Sequence, residues 1–124
     1  MQNKPNILLI DDEHAITFSL ISILKLEDYE ARSANNGKEA IEAIKNNNFD
    51  IAFFDIRLPD MNGVELLKAV REFNSSLIVV MMTAYASASN DLIQEALQKG
   101  AFSCLRKPFE IPEVLALVKK IIEK

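Results

Sequence analysis

The sequence is short of several things that would have decided its class early. It has one cysteine in 124 residues, which cannot close an internal disulfide, and a domain of this size in a reducing compartment needs none. Three glycines, four prolines and no low-complexity segment argue against disorder. No long apolar run is present: the longest, Leu77 to Met82, is far too short to span a bilayer. Nor is there a basic run. The net charge is -4 and the Lys and Arg residues are scattered, which opposes a direct nucleic-acid function for this domain. The first residues, Met1-Gln2-Asn3-Lys4-Pro5, lead straight into a short apolar run, without the long apolar segment and cleavage site of an export signal. A cytoplasmic domain with no membrane contact is expected.

What is present is an ordinary globular composition, 49% hydrophobic and 26% charged, at a length suited to one domain over residues 1–124. Four runs are nearly all apolar: Ile7 to Ile10, Ile51 to Phe54, Leu77 to Met82 and Ala101 to Leu105. Strands without polar alternation are buried on both faces, as in a parallel sheet covered by helices. A weaker run, Tyr29 to Ala34, carries Glu30, Arg32 and Ser33 and suits a sheet edge. Helical patterns fall between the runs. Their apolar faces are Ile16/Leu20/Ile23/Leu24, Ala40/Ile41/Ile44, Val64/Leu67/Val70, Leu92/Ile93/Ala96/Leu97 and Val114/Leu117/Val118/Ile121/Ile122. Asn36-Gly37 and Asn62-Gly63 precede the second and third helices, and Gly100 follows the fourth. Five βα units in alternation predict a three-layer, doubly wound α/β sandwich. Its flavodoxin-like five-stranded parallel sheet would have the order 2-1-3-4-5, with five helices.

Ligands of such sheets sit beyond the carboxyl ends of the strands. The first strand ends in Asp11-Asp12-Glu13, the third in Asp55, the fourth in Thr83-Ala84 and the fifth in Arg106-Lys107-Pro108. Right-handed crossovers bring these ends to one edge of the sheet. Carboxylates at about 4 Å repel by roughly 4 kcal/mol at an effective dielectric near 20, so they hold protons or bind a cation. Oxygen-only ligands on an open surface suit Mg²⁺, which can also hold phosphoryl oxygens while one carboxylate acts as nucleophile. Thr83 offers a hydroxyl and Lys107 a point positive charge to the same group. Each residue alone also fits a turn, a cap or a solvated charge. Together, at four strand ends, they read as the parts for phosphoryl transfer to an aspartate.

The sequence resembles the receiver domain of two-component response regulators over nearly its whole length. The matching motifs are Ile-Leu-Leu-Ile-Asp-Asp-Glu (7–13), Asp-Ile-Arg-Leu-Pro-Asp-Met-Asn-Gly (55–63), Met-Thr-Ala-Tyr (82–85) and Lys-Pro-Phe (107–109). The resemblance implies that Asp55 accepts a phosphoryl group from a histidine kinase phosphohistidine. It implies Asp12 as the main acidic Mg²⁺ ligand, Asp11 acting through water or hydrogen bonds, Asp55 as a second carboxylate ligand and Arg57 as a backbone carbonyl ligand. Thr83 would close on the phosphoryl group and Lys107 would pair with it, with a cis Lys107–Pro108 bond. The implied partners are a sensor histidine kinase or phosphotransfer protein, and a downstream target or a fused effector outside these residues. A phosphorylation-dependent homodimer through the fourth helix, fifth strand and fifth helix is a further expectation. Such a domain is a switch, catalysing only its own phosphorylation and dephosphorylation.

The sequence departs from the family at one place. Receivers commonly carry Tyr or Phe three residues before the lysine, and here that position is Cys104. A thiol packs as a small hydrophobe and cannot act as a rotating ring, so it is expected to lie under the fifth helix. Arg57 and Tyr85 are expected to border the water route to the acyl phosphate, and His14 to be a surface residue of the first helical turn. Three other functions fit the sequence less well. An aspartate-nucleophile phosphohydrolase would want an Asp-x-Asp motif on the first strand and a cap domain. A flavin module would want a phosphate loop where Asp11-Asp12-Glu13 stands. The full acidic set with Thr83 and Lys107 speaks against a degenerate receiver used only for docking, while Cys104 leaves room for one.

Overall fold

The computed structural model describes residues 4–11, 14–83, 90–107 and 109–123, and for His14, Ile16 and Asn90 the backbone alone. Strands and helices alternate along it. They are β1 (Asn6–Ile10), α1 (His14–Leu26), β2 (Glu30–Ala34), α2 (Gly37–Asn46), β3 (Ile51–Asp55), α3 (Gly63–Arg71), β4 (Ile78–Thr83), α4 (Asn90–Gln98), β5 (Ser103–Arg106) and α5 (Ile111–Ile122). The strands form one sheet of order β2-β1-β3-β4-β5, and every pairing is parallel. This is the flavodoxin-like arrangement expected from the sequence.

Strand alternation divides the apolar runs between two cores. Leu8, Ile10, Ala52, Phe54, Val79 and Met81 face α2, α3 and α4. Their sequence neighbours Ile7, Leu9, Ile51, Phe53, Val80 and Met82 face α1 and α5. Phe53 and Phe54 are both fully buried, back to back across β3; burying each stabilises the fold by about 1.5–3 kcal/mol. β3 therefore lies at the centre of the molecule, and whatever follows it emerges at the middle of the sheet edge.

Three local features differ from the sequence expectation. β5 starts at Ser103, not at Ala101, because Ala101 belongs to the end of α4. Its N–H donates to the Ala96 carbonyl at 3.0 Å and that of Gly100 to the Leu97 carbonyl at 3.2 Å. That pairing is a Schellman cap, and Gly100 supplies its left-handed residue with φ 101°. The end of α1 is closed the same way by a residue that is not glycine. Tyr29 N–H donates to the Leu24 carbonyl while Asp28 sits at φ 72°. Cys104 packs against the α2–α3–α4 core, whereas Leu105 packs on the α5 side, so the expectation that Cys104 lies under the fifth helix is wrong. Side chains alternate along a strand, and the one that turns to α5 is the next in line. Leu97, placed on the apolar face of α4 by its spacing, is 40% exposed.

Candidate functional site

Most polar side chains of the chain stay at the surface. Among the described residues only Asp11, Thr17, Asp55 and Thr83 are buried polar ones, and three of these were singled out from the sequence. Asp11 follows β1 and is 3% exposed; Asp55 ends β3 at 7% and Thr83 ends β4 at 2%. The register sets Asp55 opposite Met82, so Thr83 stands one residue further along the neighbouring strand.

Lys107 closes the cluster from the far side. Its N–H donates to the Thr83 carbonyl at 2.7 Å, which fixes the residue just beyond β5 against the end of β4. Its Nζ, on a side chain only 8% exposed, donates to Asp11 Oδ2 at 2.7 Å and to Asp55 Oδ2 at 3.0 Å. One ammonium thus bridges two buried carboxylates that come from positions 96 and 52 residues away in the chain.

The other oxygen of Asp55 meets the loop that follows it. The Arg57 N–H donates to Asp55 Oδ1 at 3.0 Å. This loop is tightly folded: Ile56 N–H donates to Met82 O at 2.9 Å, Leu58 N–H to Met61 O at 3.1 Å and Gly63 N–H to Ile56 O at 2.7 Å. A Cβ on Gly63 would stand 2.7 Å from the Asp55 carbonyl oxygen and 2.6 Å from Met81 Cε. Only glycine lets the start of α3 come this close to the acceptor strand. Asn62 then caps α3 with a reciprocal box to Glu65, at 2.9 Å in both directions.

Burial pushes the Asp55 carboxyl up to about 6, although the Arg57 N–H and Lys107 both pull it down. The hydration that the anion loses on burial is thus only partly offset by the lysine in contact. The two gathered carboxylates offer oxygen donors alone. A hard divalent cation such as Mg²⁺ suits carboxylate oxygen donors. Of the ligands that the resemblance implies, the Asp11 and Asp55 carboxylates are brought together here, both on the Lys107 ammonium. Asp12, Tyr85 and the Lys107–Pro108 bond lie outside the described residues, as does the side chain of His14. The Arg57 side chain is exposed at the rim.

Two further features, one on α1 and one in the loop after Asp55, were not legible in the sequence. Thr17 is buried on α1, and nothing in its spacing marked it from its neighbours. Asp60, at the tip of the β3–α3 loop, accepts from the Gly37 N–H at 2.8 Å and the Lys38 N–H at 3.0 Å. A cap supplied from 23 residues away leaves no local sequence signal.

A doubly wound parallel domain with carboxylates and a lysine gathered at the carboxyl edge of its sheet defines a class of protein. Within that class the chain belongs to the response regulator receiver domain family, whose model matches residues 7–119. It is 34% identical over 122 residues to Sporulation initiation phosphotransferase F of Bacillus subtilis, covering 98% of this chain and 96% of the relative. A solved CheY-like receiver domain protein from Methanospirillum hungatei superposes with a TM-score of 0.89 at 36% identity, covering 98% of this chain and 96% of the other. Response regulator TrrA of Thermotoga maritima, solved in complex with Mg²⁺ and BeF, gives 0.82 at 31% identity, covering 94% and 98%. Other curated relatives are longer regulatory proteins, two of them named as transcriptional, of which the chain spans only 24–25%. The chain is thus a receiver domain of two-component signalling. Among the described residues, no helix is long and apolar enough to cross a membrane.

Proposed function

We propose that Asp55 accepts a phosphoryl group from a histidine kinase or phosphotransfer protein in a Mg²⁺-dependent reaction, and that this charge switches the domain. The observation that carries the reading is the Lys107 ammonium bridging two buried carboxylates at the centre of the sheet edge. In the transfer, an Asp55 oxygen forms the bond to phosphorus. The phosphorus–nitrogen bond to the donor imidazole breaks, and its electron pair leaves with the ring. Bound Mg²⁺ would neutralise charge on the phosphoryl oxygens and orient them.

The chain's own residues supply the rest. The Arg57 N–H holds Oδ1 of Asp55, which leaves Oδ2, the oxygen paired with Lys107, to face the incoming group. Lys107 can exchange that oxygen for a phosphoryl oxygen while keeping Asp11. Thr83, tied through its carbonyl to Lys107, is suited to donate its hydroxyl to the same group. The phosphoryl group shifts the conformational population only to the extent that one state binds it better, and Thr83 and Lys107 provide that difference. Arg57 and Tyr85 are assigned to the water route that sets the phosphoryl lifetime.

Residues 1–124 then form one receiver domain, and the output belongs to a separate target or to an effector outside these residues. The face formed by α4, β5 and α5 is assigned to readers and to a phosphorylation-dependent homodimer; the exposed apolar Leu97 and Phe102 support it. Cys104 stands where an aromatic ring was expected and packs on the α2–α3–α4 core, so ring rotation at that position is not the route by which the signal reaches that face.

Acetyl phosphate with Mg²⁺ should add one phosphoryl group to the intact chain, and Asp55→Asn should add none. Equal labelling of the variant would end this reading.

A further inference from the structure

The tip of the β3–α3 loop is fastened to α2 twice, by unlike means. Asp60 places one carboxylate oxygen on the Gly37 N–H and the other on the Lys38 N–H, at 2.8 and 3.0 Å. Beside it the Met61 side chain lies on Gly37 so closely that a Cβ there would meet its sulfur at 2.5 Å. Yet α2 already has its own N-cap, since Asn36 Oδ1 accepts from the Glu39 N–H at 2.8 Å. A second cap brought from a distant loop does more for the loop than for the helix. The base of the same loop carries the Arg57 N–H that holds Asp55 Oδ1, and Arg57 bridges Asn62 across the loop. Tip and base are joined by the Leu58–Met61 hydrogen bond.

We infer that Asp60 is a positioning residue for the acceptor. By clasping the N-terminus of α2, it holds the β3–α3 loop in the form that presents the Arg57 N–H to Asp55. The inference rests on Asp55 as the acceptor for its kinetic consequence, but not for its structural one. A carboxylate fits the two diverging N–H groups better than an amide, which keeps only one acceptor oxygen. Asp60→Asn should therefore fall between the parent and Asp60→Ala.

The test compares Asp60→Ala with Asn36→Ala, which removes a cap from the same helix without touching the loop. Both should lower the melting temperature. Only Asp60→Ala should speed amide hydrogen exchange at Arg57 and slow acetyl phosphate labelling, by about tenfold, below the roughly hundredfold that a remote misplacement of about 1 Å can cost. If both variants leave Arg57 exchange alike, Asp60 is merely a helix cap and the inference is overturned. If the parent chain takes no label at all, the acceptor reading fails, and Arg57 exchange alone then decides for or against the clasp.

Discussion

At Asp55 one carboxylate is divided between two donors, Arg57 N–H on Oδ1 and Lys107 on Oδ2, inside a site that admits little water. What keeps those contacts in register is a residue with no side chain. Gly63 allows the first turn of α3 to approach the Asp55 carbonyl, and Gly63→Ala would force a methyl group against backbone and Met81 together. We expect that variant to lose about 1–3 kcal/mol in denaturant melts, the range for overpacking, and to label more slowly with acetyl phosphate. Melting and labelling both equal to the parent would show the loop to be slack. Asp11, Asp55, Thr83 and Lys107 were legible in the sequence because each is a polar residue ending an apolar run. Asp60 and Thr17 were not, since a tertiary cap and a buried helix hydroxyl depend on neighbours remote in the chain.

Among the elements, α3 does the most to join the two ends of the sheet. It starts against Asp55 and ends in Arg71, whose guanidinium donates to Leu77 O at 2.7 Å, Asn74 O at 3.3 Å and Gly100 O at 3.1 Å. One side chain thus ties the end of α3 to the approach to β4 and to the cap of α4. Arg71→Ala should cost about 2 kcal/mol, as expected when carbonyls lose a charged partner. Arg71→Lys should recover less than half, because an ammonium cannot reproduce the planar fork. Urea midpoints would measure both, and a full recovery by lysine would show that charge alone matters. The alternation of strands and helices followed from apolar runs and helical spacing. The start of β5 did not, because Ala101 is as apolar as a strand residue while its N–H completes the cap of α4. The face taken by Cys104 was not legible either, because Cys104 and Leu105 are both apolar and alternation alone does not say which of two such neighbours turns to α5.

At the scale of the molecule, the site imposes a cost on the fold that has a definite pH signature. Asp55 ordinarily titrates at 3.8 and is pushed up to about 6 by burial. Below the lower value it is protonated in both folded and unfolded chains and makes no difference. As pH rises, the unfolded chain loses this proton first, and above the upper value the folded chain carries the full cost of a buried anion. Stability of the metal-free protein should therefore fall between about pH 4 and pH 6, by up to about 3 kcal/mol from this group. Asp55→Asn should remove that component, so the difference in unfolding free energy between variant and parent should grow across this window. A constant difference would mean that Asp55 is ordinary. Mg²⁺ should restore part of the loss at pH 7, since a ligand of the folded state stabilises it by mass action.

The central claim is that phosphorylation falls on Asp55, and it can be read at the level of a single residue. The chain would be incubated with acetyl phosphate and Mg²⁺, reduced with borohydride, digested and sequenced by mass spectrometry. An aspartyl phosphate is reduced to homoserine, so homoserine at position 55, and nowhere else, is the predicted result. Reduction at another carboxylate, or phosphate left on a residue other than Asp55, would contradict the account.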